Sequence, residues 1–282
     1  MQIKNKNILI TGGSGFLGKP LIERLVDNNK ITVLARNEGN LVSLKEQFPS
    51  INILPGDIAD YYYVQKAMQN IDIVFHLAAM KHVGIAESNP YQCIQTNING
   101  TINILETSKS NKCELVVGIS TDKAAQLKGV YGSSKYLMEK LFQEYESINQ
   151  DTKYRVVRYG NVLYSTGSVL CKWRECIRRN KPLILNNPNA TRFFWPVNEA
   201  IDLIFNAIEN GTNAKPIVPQ MKAMSLGNLN KALIEKYRKE HIEPTVIINN
   251  LSSEENMHET MDGKTFSNEV DQYTIEEIAQ LI

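Results

Sequence analysis

Cysteine is scarce: the 282 residues hold four, Cys93, Cys113, Cys171 and Cys176. They form no C-x-x-C pair and no metal-ligand spacing, which argues against zinc modules and predicts buried, reduced thiols. Histidine is as sparse, and His76, His82, His241 and His258 make no H-x-x-x-H pair, so no metal site is expected. An excess of either charge is missing too. With 31 basic against 30 acidic residues the formal charge is +1, which gives no push toward nucleic acid or an anionic membrane. The densest basic run, WRECIRRNK (173–181), is broken by Glu175, Cys176 and Ile177 and reads as the solvated face of a helix. No window of about 18 apolar residues occurs, which excludes a hydrophobic span. The opening MQIKNKNILITGG puts a glycine turn where a signal peptide needs its long apolar region. A soluble, cytoplasmic protein is expected, in which the sequon at Asn99 goes unused.

What is present is alternation. NILIT (7–11), ITVLA (31–35), INIL (51–54), DIVFHLA (72–78), ELVVGIS (114–120) and YRVVRYG (154–160) are short β-branched runs that read as buried strands. Helical periods lie near 16–28, 38–48, 60–70, 91–110 and 131–148. Near-continuous apolar strands separated by helices predict an α/β, doubly wound parallel sheet covered on both faces. After about residue 165 the pattern loosens. Helical stretches (168–180, 197–210, 225–241) alternate with short extended pieces near 182–186, 215–218 and 244–249, punctuated by prolines. The expected organisation is a core over 1–165 and a smaller substrate lobe over 166–282, with chain crossing between them. The polar stretch MDGKTFSNEVDQ (261–272) is expected to be loose, ahead of a last short helix.

The first strand runs into Gly12-x-x-Gly15-x-x-Gly18 and then a helix. Such glycines permit a tight turn and let backbone amides approach a pyrophosphate at the helix N-terminus, the Rossmann arrangement. Gly12, Ser14, Gly15, Phe16, Leu17 and Gly18 are therefore expected to hold a dinucleotide. An NAD-preferring site places an acidic residue about 20 positions further on. Here the second strand ends Ala35-Arg36-Asn37. Arg36 can pair with a 2′-phosphate, which favours NADP over NAD. Asp57 and Ile58, ending the third strand, are expected at the adenine ring.

Tyr131 and Lys135 are four apart, so on a helix they share one face. An ammonium near a phenol favours the phenolate. Such a tyrosine can take a proton from a sugar hydroxyl while a hydride leaves for a nicotinamide.

Together, TGGSGFLG, HLAAMKHV, TNINGT, STDK, YGSSK and RYGNV resemble the extended short-chain dehydrogenase/reductases. More narrowly they are similar to the C5-inverting UDP-N-acetylglucosamine 4,6-dehydratases of polysaccharide biosynthesis. The resemblance runs from the first strand to about residue 260. It implies a catalytic set of Thr121, Asp122, Lys123, Tyr131 and Lys135. Ala78, Ala79, Lys81 and Asn97 would lie at the cofactor, with Asn97 propping backbone rather than reacting. Lys81, His82, Asn161, Val162, Arg192 and Glu255 would meet the substrate, Asn161 and Arg192 at its diphosphate. A UDP-sugar substrate and a homo-oligomer are also implied. SSEENMHE (252–259) keeps Glu255, His258 and Glu259 where relatives carry Arg-Pro-Gly-Glu-Lys before His-Glu, so two positive charges are gone.

The chemistry accounts for the Asp-Lys pair. Oxidising C4 of the hexose makes the C5 proton acidic; a base removes it and an acid helps the C6 hydroxyl depart. Lys123 is the expected C5 base, with its amine neutral, and Asp122 the acid. Tyr131 and Lys135 serve the C4 oxidation, and Tyr131 can reprotonate C5 from the opposite face. A nucleotide-sugar 4-epimerase or 4-ketoreductase uses Tyr131 and Lys135 without needing Lys123 as a base. A non-catalytic NADP-binding scaffold needs neither.

Overall fold

In the computed structural model, residues 3–238, 243–252 and 255–282 are described. Two compact units result: Met1–Arg158 with Ile201–Val218, and Tyr159–Ala200 with Pro219–Ile282. The first unit runs to the end of the sixth strand, and 201–218 returns to it with most of a helix and an edge strand.

The first unit is built on β1 (Asn7–Thr11), β2 (Lys30–Ala35), β3 (Asn52–Pro55), β4 (Ile73–His76), β5 (Leu115–Thr121) and β6 (Lys153–Tyr159). Its helices are α1 (Gly18–Leu25), α2 (Glu38–Gln47), α3 (Tyr61–Ala67), α4 (Val83–Ser88), α5 (Pro90–Ile94), α6 (Gly100–Ser110), α7 (Lys123–Gln126) and α8 (Gly129–Ile148). The second unit starts with β7 (Asn161–Val162), α9 (Val169–Arg178), β8 (Leu183–Asn186), β9 (Thr191–Arg192) and β10 (Phe194–Trp195). Helix α10 (Val197–Asn210) and β11 (Pro216–Ile217) lead back to the first unit; β12 (Met224–Ser225), α11 (Leu226–Tyr237), β13 (Val246–Asn249) and α12 (Ile275–Leu281) complete the second. The end of the helix expected over 225–241, with His241, lies outside the described residues.

The main sheet has seven strands in the order β11-β6-β5-β4-β1-β2-β3, with β1 paired in parallel to both β2 and β4. That is a doubly wound sheet whose order reverses at β1. Every residue of β4 and β5 is buried, the pattern of strands covered on both faces. In a doubly wound sheet the crevice at the C-terminal ends of the strands beside the reversal takes the ligand. Leu9, Leu34, Val74, Val116, Phe142 and Tyr154 belong to one buried cluster that fastens the helices to this sheet. In the second unit Leu170, Trp173, Leu183, Leu229, Leu233 and Ile278 form another.

Three expectations change. The helix over 91–110 is interrupted by a π-helical turn, Gln95–Asn99, a device frequent at functional sites. The stretch 261–272 is pinned rather than loose: Ser267 is fully buried and bonded to Thr191, and Met261 is buried. Its polar side chains find partners, which its lack of large apolar residues concealed. Cys93 and Cys113 are buried thiols as expected, but Cys171 and Cys176 are half-buried, because α9 turns them away from its core face. Among the described residues no helix is long and apolar enough to cross a membrane.

Candidate active site

The glycine turn closes the C-terminal end of β1. Gly12 has φ +67°, and a Cβ there would sit 2.8 Å from the Ala78 backbone beyond β4. The amides of Gly15 and Gly18 bond back to Gly12 and Gly15 at 2.9 and 3.2 Å. Ser14, Phe16 and Leu17 are half-buried and Gly15 is exposed, so backbone is open to a phosphate where α1 begins. Arg36 follows β2, its side chain 56% exposed and 3.9 Å from the Asp57 carboxylate. Asn37 caps α2 by accepting from the Asn40 amide at 2.8 Å. Glycine backbone and a helix start after β1, with Arg36 past β2, make a donor set that fits a nicotinamide dinucleotide. The Ile58 side chain is buried against Gly100, and its carbonyl accepts from Asn103 at 2.9 Å. An apolar side chain in this position is drawn into the core, which leaves Asp57 as the polar group on that edge.

The second cluster stands at the end of β5. Thr121 Oγ1 donates to the Asp122 carboxylate at 2.7 Å, and the Lys123 ammonium lies 3.4 Å from the same carboxylate. The Tyr131 phenol lies close enough to feel Thr121, Asp122 and Lys123. Thr121, Asp122 and Lys123 are thereby linked side chain to side chain, with Tyr131 beside them. Helix α8 comes this close because residue 132 is glycine: a Cβ there would meet the Lys123 carbonyl at 2.5 Å. Asp122 is 1% exposed while the Lys123 side chain is 28% exposed, so the acid is enclosed and the amine faces outward. The Lys123 amine, expected as the base, stands within ion-pair distance of the Asp122 carboxyl group.

Burial dominates the electrostatics at α8. Burial pushes the Tyr131 phenol up to about 12, and the Asp122 carboxylate adds to the rise; Lys123 and Thr121 oppose it. The cation that lowers it is therefore Lys123. Lys135 turns to the Ile119 carbonyl, donating at 2.6 Å. Burial lowers Lys135 to about 8, against the opposing pull of Glu139 and Cys93. Shared helix spacing correctly puts Tyr131 and Lys135 on one face, but desolvation outweighs the effect of one on the other.

Asn97 sits in the π-helical turn, accepts from the Met80 amide at 2.7 Å, and donates to the Met80 carbonyl (3.0 Å) and to Ser134 Oγ (2.9 Å). It ties the loop after β4 to α8. Ala78 and Ala79 in that loop are half-buried; Lys81 and His82 are exposed, His82 at the start of α4. Deeper, Glu139 of α8 receives Ser120 Oγ at 2.5 Å and both Nε and Nη2 of Arg158, at 2.9 and 2.5 Å. The sequence reading missed Gly132, Ser134, Glu139 and Arg158. The first two lie inside YGSSK and were visible there; a buried ion pair between two strand- and helix-borne residues left no local pattern.

In the second unit Asn161 Nδ2 donates to Glu259 at 3.1 Å and to the Phe193 carbonyl, while Arg192 Nε pairs with Glu259 at 3.2 Å. Arg192 also donates to the carbonyls of Thr191 and Met257. Asn161 and Arg192 are thus brought together by Glu259. Val162 is a core residue, and Glu255 accepts from Asn186 at 3.3 Å. Among the described residues no group of His, Cys, Asp and Glu could hold a metal ion.

Residues 8–280 match the family described as polysaccharide biosynthesis protein. The chain is 35% identical over 82% of its length to the inverting UDP-N-acetylglucosamine 4,6-dehydratase of Campylobacter jejuni, covering 72% of that protein. It is equally 35% identical, over 81% of its length, to the UDP-glucose 4-epimerase of Rickettsia bellii, covering 70% of it. The crystal structure of Pen from Bacillus thuringiensis superposes with a TM-score of 0.87 at 34% identity, over 93% of this chain and 84% of that one. With the doubly wound sheet, the glycine turn at β1 and Tyr131 and Lys135 on α8, the chain belongs to the polysaccharide biosynthesis protein family of extended short-chain dehydrogenase/reductases.

Proposed function

We propose that the protein is a nucleotide-sugar 4,6-dehydratase acting on UDP-N-acetylglucosamine with inversion at C5. The observation that carries this reading is the Asp122–Lys123 pair, bonded to Thr121 and close enough to Tyr131 to act on its phenol. The similarity to the C. jejuni dehydratase supports the substrate. A bound NADP, favoured over NAD by the exposed Arg36, would accept the C4 hydride and return it to C6.

The residues then divide the proton work. Tyr131 takes the C4 hydroxyl proton. Lys123 takes the C5 proton, and Asp122 gives its proton to the departing C6 hydroxyl, so that water leaves. Tyr131 returns its proton to C5 from the other face. The substrate loses one water in sum, and Lys123 and Asp122 finish as ammonium and carboxylate. Their separation is that of an ion pair. The reactive pair, amine and carboxylic acid, differs from it only by one proton moved from Lys123 to Asp122, which are 3.4 Å apart. Enclosure of Asp122 favours its neutral form as substrate excludes water. No proton need be exchanged with solvent between turnovers. In the second unit, Asn161 and Arg192 are assigned to the nucleotide diphosphate, with Glu259 orienting both. A cytoplasmic homo-oligomer is the assembly proposed.

A 4-epimerase is the second reading, favoured by the equal similarity to the R. bellii protein. Incubating the purified protein with UDP-N-acetylglucosamine separates them by mass. A product lighter by one water, carrying deuterium at C5 when made in deuterated water, supports the dehydratase. An isomer of unchanged mass with inverted C4 refutes it.

A further inference from the structure

Helix α8 carries Tyr131 in its first turn, where helices fray most readily. The first amides of a helix have no acceptor within it, and Lys128, at the cap position, has a side chain that carries no acceptor for them. The chain also enters α8 awkwardly, through Leu127 at φ 52° and Gly129 at φ +72°. The acceptor comes from another element. Glu87, on α4, takes the Val130 amide on its Oε1 at 2.5 Å. Gly129 leaves it the room, since a Cβ there would run into that carboxylate oxygen. A carboxylate at this end also suits the positive pole of the helix. Helix α4 follows directly on Lys81 and His82, so the same carboxylate joins the loop after β4 to the turn bearing Tyr131. Asn97 makes a similar tie one turn later, through Ser134. Between them the two clamps fix both the phenol end and the lysine end of the α8 face.

We infer that Glu87 is a positioning residue: by capping α8 from α4 it holds the Tyr131 phenol in register with Thr121 and the Asp122–Lys123 pair. The inference rests on Tyr131 as the acid–base group of the proposed reaction, and the test therefore includes a measurement made without sugar. Amide hydrogen exchange is compared in wild type, Glu87→Ala and Glu87→Gln, with β5 amides as the control for global stability. Glutamine keeps an oxygen that accepts from Val130 and loses only the charge. In Glu87→Ala, exchange at Val130 and Tyr131 should quicken by about tenfold or more while β5 is unchanged. Turnover of UDP-N-acetylglucosamine should fall by about tenfold in kcat, with KM within about twofold, because orientation rather than binding is lost. Glu87→Gln should restore both to within about threefold. Should Glu87→Ala not fold, Glu87→Asp, one methylene short of Val130, carries the same comparison. Unchanged exchange at Val130, undiminished kcat in the alanine variant, or a glutamine variant as impaired as alanine would each overturn the inference. A wild-type protein that turns over no UDP-sugar would sink the proposed reaction alone, because the exchange ratios still decide whether Glu87 clamps α8.

Discussion

Replacing Glu139 by Gln tests how the buried charges beneath the site are held. Glu139 is 2% exposed and Arg158 9% exposed. Two guanidinium nitrogens and Ser120 Oγ reach the one carboxylate, at 2.9, 2.5 and 2.5 Å. Glutamine keeps the shape but leaves a guanidinium in the interior without its counter-charge. Breaking a buried pair from one side costs about 3–5 kcal/mol. The expected loss is then roughly two to four powers of ten in the protection of β5 amides. Both tryptophans, Trp173 and Trp195, lie in the second unit, so intrinsic fluorescence would report that unit, and β5 exchange is the better probe. Replacing both partners together, Glu139→Met with Arg158→Met, should recover most of the loss, since an apolar pair strands no charge. The same carboxylate holds Lys135 up against the burial that lowers it to about 8. Glu139→Gln should therefore move the kcat limb that reports loss of the Lys135 ammonium to lower pH. A single variant that loses less than about 1 kcal/mol, or a limb that does not move, would refute the account.

Lys123→Ala should abolish water loss from the sugar while leaving the dinucleotide bound, measured by product mass and by cofactor retained on the purified protein. Full activity would remove Lys123 as the C5 base. Gly132→Ala puts a methyl group 2.5 Å from the Lys123 carbonyl; it should destabilise by about 1–3 kcal/mol in thermal or urea unfolding and lower kcat more than it raises KM. His76 is fully buried, bonded to Thr11 at 2.9 Å and Thr101 at 3.1 Å, and burial, with Lys135 nearby, lowers it to about 3 from an ordinary 6.5. Between those values the unfolded chain holds a proton the fold does not, so stability falls as pH drops below 6.5, by about 1.4 kcal/mol per pH unit. His76→Gln should flatten that slope in urea titrations between pH 4 and 7.

The sheet was legible because parallel strands buried on both faces write themselves as unbroken apolar runs. NILIT coincides with β1, and the other five strands of the first half fall within a residue or two of the runs that announced them. Short elements were illegible for the opposite reason. α4 and α7 have six and four residues, too few to display a period. β7, β9, β10 and β12 have two residues each and exist through their partners. The stretch 261–272 was misjudged because Ser267 is buried by hydrogen bonds to Thr191 rather than by apolar area.

At the site the residues were readable and their environment was not. Spacing put Tyr131 and Lys135 on one face of a helix and invited the inference that the ammonium lowers the phenol. Spacing says nothing of solvent. Burial acts on both groups in the same sense, toward the neutral form: it raises one to about 12 and lowers the other to about 8. A phenolate in this site must therefore gain from positive charge what it loses in hydration. Lys123 is the cation already acting on Tyr131, and it is held by a carboxylate that acts on the phenol in the opposite sense. Moving one proton from Lys123 to Asp122 removes both influences at once. In the proposed reaction, chemistry at C4 and elimination at C5 and C6 are then coupled through the field of this pair at Tyr131, so that replacing Asp122 alone should alter the pH dependence of the first step as well as the second.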